Sequence, residues 1–335
     1  MLLHSASTVL ADNGWVSWDV TSLRKLFWYD TVTGLAYGSI YALIALGYTL
    51  VYGVLRLINF AHSEVFITGA FAGYFTLKAC GFTPGVVPGV GAGEIVAYLV
   101  LATGVAMVAS ALTALVLERV AYQPLRKRGA PSLAFLITAI GASLAIQQAY
   151  FIWRGGNPEP SIQLVVKQPE IKIGNTTMDN IQITVIVAAI VLMLVIDTFI
   201  RHSRLGRGIR AVAQDATTAT LMGVNRERVI MLTFLIGGAA AGLGASLYIM
   251  MIPSALVYNG GFILGIKAFT AAVLGGIGNL RGALLGGLLL GLVENYGQTL
   301  FGGQWRDVVA FVVLILVLMI RPTGILGESL ARARA

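Results

Sequence analysis

Stretches of roughly 20 predominantly apolar residues recur along almost the whole chain, and each is long enough to cross a hydrocarbon core of about 30 Å as a helix. Backbone in lipid must satisfy its own hydrogen bonds, so repeated runs of this kind leave helical bundles as the natural solution. The runs place spans at about 31–53, 58–80, 95–118, 131–152, 181–200, 229–252, 262–279, 283–302 and 305–320. The expected fold class is therefore an all-α polytopic membrane protein with about eight or nine transmembrane helices. Two places interrupt the pattern. Residues 55–64 carry Arg56, Asn59, His62 and Glu64 at the start of the second span, and 275–282 joins two spans through little more than Leu280-Arg281-Gly282. Both predict broken or re-entrant segments.

With 57% hydrophobic and 11% charged residues, no polar stretch is long enough to bury a soluble core of its own, so one membrane domain is expected. A net charge of +8 would suggest nucleic acid in a soluble protein, but here the bases collect in loops and report orientation. Arg119, Arg126, Lys127 and Arg128, the six arginines of 201–228, and Arg321, Arg332 and Arg334 mark cytoplasmic regions. The segment 81–94 has no base, and 153–180 balances its charges, so both are expected outside. Nine crossings then put the C-terminus in the cytoplasm and the N-terminus outside, with Arg24 and Lys25 on the disfavoured side. Residues 1–30 read as an interfacial segment through Trp15, Trp18, Phe27, Trp28 and Tyr29. Residues 31–327 form the transmembrane domain, and 328–335 a cytoplasmic tail. Met1 to Ala11 lack the traits of a cleaved leader. The lone Cys80 predicts packing rather than redox or metal chemistry.

The polar segment 201–228 interrupts the oily chain. Ile209, Val212, Ala213, Ala216 and Ala219 fall at helical spacing and make a small apolar stripe. A membrane-surface helix would need larger apolar side chains, whereas alanines suit a partner's groove. Gly223 can end that helix and Asn225 cap the next, with Glu227 in its first turn. A solvated loop that only sets orientation is the plainer alternative.

Glycine, 40 of the 335 residues, allows helices to approach closely in lipid. The run Gly275-Gly276-Ile277-Gly278 is either a tight crossing or a discontinuous helix beside a substrate path. A faint echo links Gly47 to Gly53, Asn59 to Glu64 and Thr68 to Gly73 with the 269–291 region. Ionisable residues at membrane depth are few: Arg56, His62, Glu64, Lys267, Arg281 and Glu294. Glu64 is expected to pair with Arg56 or to cap the helix that follows. So sparse a titratable set argues for an energy source outside the chain. Phosphate-loop and dinucleotide motifs fail: Lys267 is misplaced after Gly265, and Gly89, Gly91 and Gly93 precede no strand-to-helix unit. His4, His62 and His202 lack metal-ligand spacing, and no nucleophile with a base appears at membrane depth.

Gly34 to Gly53 followed by Ile58-Asn59-Phe60-Ala61-His62 resembles the permease subunits of bacterial branched-chain amino acid ABC importers, the LivH type. So do Glu118 to Tyr122, Ala213-Gln214-Asp215 with Gly223-Val224-Asn225, and the blocks from Lys267-Ala268-Phe269 to Arg321-Pro322-Thr323-Gly324. The resemblance covers about residues 30–327. It implies a permease without catalytic residues, carrying branched-chain or other neutral amino acids, or urea or short amides. A self-contained secondary transporter or channel is the other reading of the residues. The resemblance further implies that Ala213, Gln214, Asp215, Ala216, Ala219, Gly223, Val224 and Asn225 couple to a cytoplasmic ATPase. It also implies a second permease subunit, related or identical, and a periplasmic substrate-binding protein. No cofactor is expected on this chain, with ATP and Mg on two partner ATPase subunits, and the location is the bacterial inner membrane. A path lined by Asn59, Phe60, Ala61, His62, Ser63, Glu64, Gly275, Gly276 and Gly278 follows from the two breaks. Ser63 departs from the family's usual glycine.

Overall fold

The computed structural model describes residues 19–84, 91–160, 162, 169–174, 176–251 and 256–327. Asp19 accepts the backbone N–H of Ser22 at 2.8 Å and opens α1 (Val20–Leu55), which runs 36 residues, about 54 Å at 1.5 Å per residue. The first span thus begins earlier than position 31. Phe27, Trp28 and Tyr29 lie exposed on the same continuous helix, whereas Trp15, Trp18 and the tail 328–335 lie outside the described residues.

Helix α2 (His62–Ala79) follows a break, and α3 (Ala92–Leu117) ends in a π-turn at Glu118–Tyr122 before the short α4 (Gln123–Lys127). Next come α5 (Ser132–Arg154), an antiparallel hairpin of β1 (Pro169–Ile173) and β2 (Thr176–Asp179), and α6 (Asn180–His202). A capping box between Asp179 and Gln182 starts α6. The polar segment forms α7 (Arg204–Gln214) and α8 (Ala216–Leu221). Helices α9 (Arg226–Met251), α10 (Gly260–Gly275), α11 (Leu280–Phe301) and α12 (Arg306–Ile320) complete the chain. All nine expected stretches form helices. Six of the described helices are long and apolar enough to cross a membrane alone, and α10 with α11, bent by 119° at their junction, raises this to seven if the pair counts as one span. The polar N-terminus of α2, with His62 and Glu64, sets it apart.

Helix α1 is the buried centre, packed on α11, α9 and α10, while α3, α5, α6 and α12 present apolar side chains outward. Backbone contact makes that centre: a Cβ on Gly38 would stand 2.6 Å from the carbonyl oxygen of Gly287. Hydrogen bonds sort the loops into two ends. At one, Arg56 reaches the carbonyls of Ala213 and Gln214, Arg126 reaches Glu227, and Arg281 reaches Asp197. At the other, Glu159 pairs with Leu256 and Arg154 and accepts from Tyr74 at 3.2 Å, and Thr31 meets Tyr296. Burial pushes the Glu159 carboxyl up, but Arg154 outweighs it and holds that group below the ordinary carboxylate range.

Gly38→Val drives a side chain into the backbone of α11, and overpacking of this kind costs about 1–3 kcal/mol. Melting of the purified protein in detergent is expected to drop for this variant and to stay unchanged for Gly104→Val, where a Cβ meets nothing within 4 Å.

Candidate functional site

The site begins where α1 stops. Arg56 takes a left-handed φ of 54°, rare outside glycine, and donates its backbone N–H to Tyr52. The chain then folds back, because His62 sits against Gly47, eight residues or about 12 Å before the end of α1. Residues 56–61 are therefore irregular backbone that enters the bundle from the exposed Arg56 to the buried Asn59 and Ala61. Asn59 accepts from Tyr122 at 2.7 Å, Tyr48 lies edge-on to His62 at 5.0 Å, and Phe60 packs on Phe269 at 5.5 Å.

Glu64, 0% exposed, stands in the first turn of α2. Its Oε1 accepts from Gln147 at 2.9 Å, Ser143 at 3.2 Å and Ser63 at 3.4 Å. The expected pairing with Arg56 does not form, since Arg56 reaches the other way, to α7. Ser63 packs under Gly265 of α10, where a Cβ would collide with it. Four buried atoms here have no hydrogen-bond partner: Tyr48 Oη, Asn59 Nδ2, His62 Nε2 and Glu64 Oε2. Each such orphan costs on the order of 1–3 kcal/mol in a closed protein, so the polar break is the least satisfied part of this region.

The second break differs. Gly275 and Gly282 meet backbone to backbone, and Gly276 (φ 105°) and Gly278 (φ 97°) make a tight turn capped by Asn279 on α11. The C-terminal stretch closes over it: Ile325 N–H donates to Leu274 at 2.9 Å and Leu326 N–H to Gly275 at 3.0 Å. This turn lies at the arginine-rich end. The residue that meets Ser63 is Gly265, further back on α10, while Gly275 and Gly276 meet the C-terminal stretch and a side chain at Gly278 would find open space.

The polar segment is two helices rather than one. Asp215 (φ −150°) ends α7, and its side chain accepts from the backbone of Thr217 at 2.8 Å and of Thr218 at 3.2 Å to start α8. The side chain of Thr218 is the first cause that holds this carboxyl below the ordinary range, with the backbone bonds next. A depressed carboxyl keeps its cap at neutral pH and loses it only on acidification. The apolar stripe faces the bundle, with Ile209, Val212 and Ala219 buried and Ala213 and Ala216 half-buried. The outward surface carries Arg204, Arg207, Arg210 and Gln214, and an apolar tip of Leu221 (83% exposed) and Met222 (80%). Gly223 (φ 85°) stops α8, Val224 is half-buried behind it, and Asn225 accepts from Arg228 N–H at 3.0 Å.

Two charge clusters escaped the sequence reading. Arg126 bridges Glu118 at 2.5 Å and Glu227 at 2.7 Å, tying the end of α3 to the first turn of α9. Lys267, Glu294, Arg306 and Asp307 meet between α10, α11 and α12. Lys267 and Glu294 stood out as costly intramembrane charges, and the need for each to be paired was the available signal; partners 27 residues apart fall outside any local pattern.

The bundle of apolar helices is that of a polytopic membrane protein with a polar break in its interior and a basic platform at one end. The model for the family described as branched-chain amino acid transport system / permease component matches residues 31–318, and the chain belongs to that family. Similar proteins include the high-affinity branched-chain amino acid transport system permease BraD of Pseudomonas aeruginosa, 41% identical over 301 residues, 89% of this chain and 94% of the relative. LivH of Escherichia coli K12, of the same description, is 40% identical over 310 residues, 90% and 96% of the two chains. A probable LivH of Methanocaldococcus jannaschii is 25% identical over 307 residues, 88% and 90%. No solved structure matches.

Arg126→Gln leaves the buried Glu118 without its cation, and breaking such a pair costs about 3–5 kcal/mol. Glu227→Gln, at a part-exposed carboxylate, is expected to change stability by less than about 1 kcal/mol. Denaturation of the two variants in detergent measures the difference.

Proposed function

We propose that this chain is a permease subunit of an ATP-driven ABC importer in a bacterial inner membrane, carrying branched-chain or other neutral amino acids. A second permease subunit completes the path, two cytoplasmic ATPase subunits bind ATP and Mg, and a periplasmic binding protein delivers substrate. The arginine-rich end, with 118–128, 201–228 and 321–327, faces the cytoplasm, and the C-terminus lies there too. The chain itself binds and moves a solute and carries out no bond chemistry.

One contact carries the mechanism. The Arg56 guanidinium donates to the carbonyls of Ala213 at 3.1 Å and Gln214 at 3.4 Å, joining the end of α1 to the end of α7. The backbone that turns back into the polar centre starts at this same residue. A displacement of α7 and α8 by the ATPase is therefore delivered directly to the 56–64 break, which opens or closes around Asn59, His62 and Glu64. Leu221 and Met222 form the part of the platform that enters the ATPase, and Asp215 fixes the angle between the two short helices.

Met222→Asp is expected to leave the fold intact and to weaken co-purification of the ATPase by roughly tenfold, the scale of one interface anchor. Ala219→Arg, at a buried position, is expected to damage the permease itself; normal ATPase binding by both variants would sink the docking assignment. Arg56→Gln should keep the complex assembled while uptake per ATP hydrolysed falls roughly fivefold, about 1 kcal/mol of coupling. Single cysteines at Lys172 and Leu205 in a Cys80→Ala background test orientation: an impermeant reagent applied from outside should label the first and spare the second.

A further inference from the structure

The second charge cluster has no part in the coupling scheme, yet it is the densest group of charges inside the bundle. Glu294 is 0% exposed, and its Oε1 takes Lys267 Nζ at 2.7 Å, Tyr41 Oη at 3.2 Å and Arg306 Nε. Its other oxygen, Oε2, is buried and has no partner. Lys267 Nζ also meets Asp307 Oδ1 at 2.6 Å, and the Arg306 guanidinium lies over the Tyr37 ring at 4.7 Å. Two hydrogen-bond donors and the Arg306 guanidinium crowd one carboxylate oxygen, while Glu294 Oε2 and Arg306 Nε both lack a hydrogen-bond partner, which is a poor arrangement for a purely structural ion pair. Exposure rises in order from the floor to the rim: Glu294, Lys267, Arg306, then the Asp307 side chain at 50%. A half-exposed carboxylate beside a guanidinium is incompatible with acyl chains, so the rim opens onto water or protein rather than lipid.

We propose that Lys267, Glu294, Arg306 and Asp307 form a subsite for the charged head group of a zwitterionic α-amino acid on its way through the membrane, a reading that rests on the permease function above. The cluster holds two cations and two carboxylates, so its formal charge is zero, and a zwitterion preserves that balance when it enters. Its carboxylate takes the donors of Lys267 and Arg306. Its ammonium takes the Glu294 oxygen released by that exchange, with Asp307 and the Tyr37 and Tyr41 faces alongside. A solute carrying only one of the two charges leaves a buried partner uncompensated, so the subsite selects for amino acids over simple amides or acids. Gly265 of the same helix packs on Ser63, so the subsite and the polar break share α10.

The test uses the whole complex in proteoliposomes, with binding protein and leucine as the probe, and reads assembly, binding-protein-stimulated ATP hydrolysis and uptake separately. Glu294→Gln and Arg306→Gln are expected to lower leucine uptake about tenfold or more, the scale of one desolvated charge contact, with assembled complex and ATP hydrolysis retained. The double variant Lys267→Gln/Glu294→Gln removes a cation and an anion together. If the cluster only locks helices, the double variant regains uptake, and that result overturns the proposal; uptake that stays low in an assembled double variant supports it. Asp307→Asn at the rim decides the matter even where the floor variants fail to assemble. It should raise the KM for leucine several-fold at unchanged maximal ATP hydrolysis, and an unchanged KM overturns the subsite. Absence of binding-protein-dependent leucine uptake by the wild-type complex would instead strike the permease reading itself.

Discussion

A bilayer interior offers no hydrogen-bond partners, so irregular backbone at depth survives only where protein or trapped water takes over that role. Everything informative in this chain follows from where it departs from helix under that constraint. The stretch 56–61 folds back beside α1 and is tolerated because α9, α10 and the π-turned end of α3 enclose it. Tyr122, on that π-turn, supplies the hydrogen bond to Asn59. A π-turn shifts the register of the side chains that follow it, and here the shifted residue is the one that reaches the break.

Close packing around α1 has the same origin. In water, apolar burial would press larger side chains between helices, but lipid supplies no such drive, and association rests on van der Waals contact and backbone approach. The Gly38–Gly287 crossing removes side chains from the α1–α11 interface and leaves two helices that fit in one arrangement. Rigid elements of that sort carry displacement over a distance. On the proposed coupling scheme, a push on α7 would reach this rigid centre through the Arg56 side chain at the end of α1.

Much of this was legible in the residues, for physical reasons that differ from part to part. Hydropathy placed the apolar helices because the bilayer sets both length and composition. The two breaks were visible as polar or glycine-rich interruptions, and Gly223 and Asn225 as local stop and start signals. The direction of the 209–219 stripe was not, since an amphipathic pattern shows that a face is covered and is silent on what covers it. Here the chain covers its own stripe, and the exposed apolar tip is the pair Leu221-Met222, which has no periodicity to reveal it. The kink at Asp215 was hidden for a related reason: an aspartate in a helical pattern reads equally as a surface residue or a cap. Tertiary charge pairs such as Arg126 with Glu227 depend on which loops meet, and that is a property of the bundle.

Helix α10 joins the separate features into one device. It is short, begins near the polar break, and ends in the 276–279 turn that the C-terminal stretch clamps. Along its length Gly265 meets Ser63, Lys267 meets Glu294, and Gly275 meets Gly282. The glycine contacts are close, Gly265 against the Ser63 side chain and Gly275 against the Gly282 backbone, whereas the third is a pair of long charged side chains that can change partners. On the proposal above, motion at this helix would be taken up at Lys267, where an arriving charge could replace the one that departs, rather than at the glycine contacts.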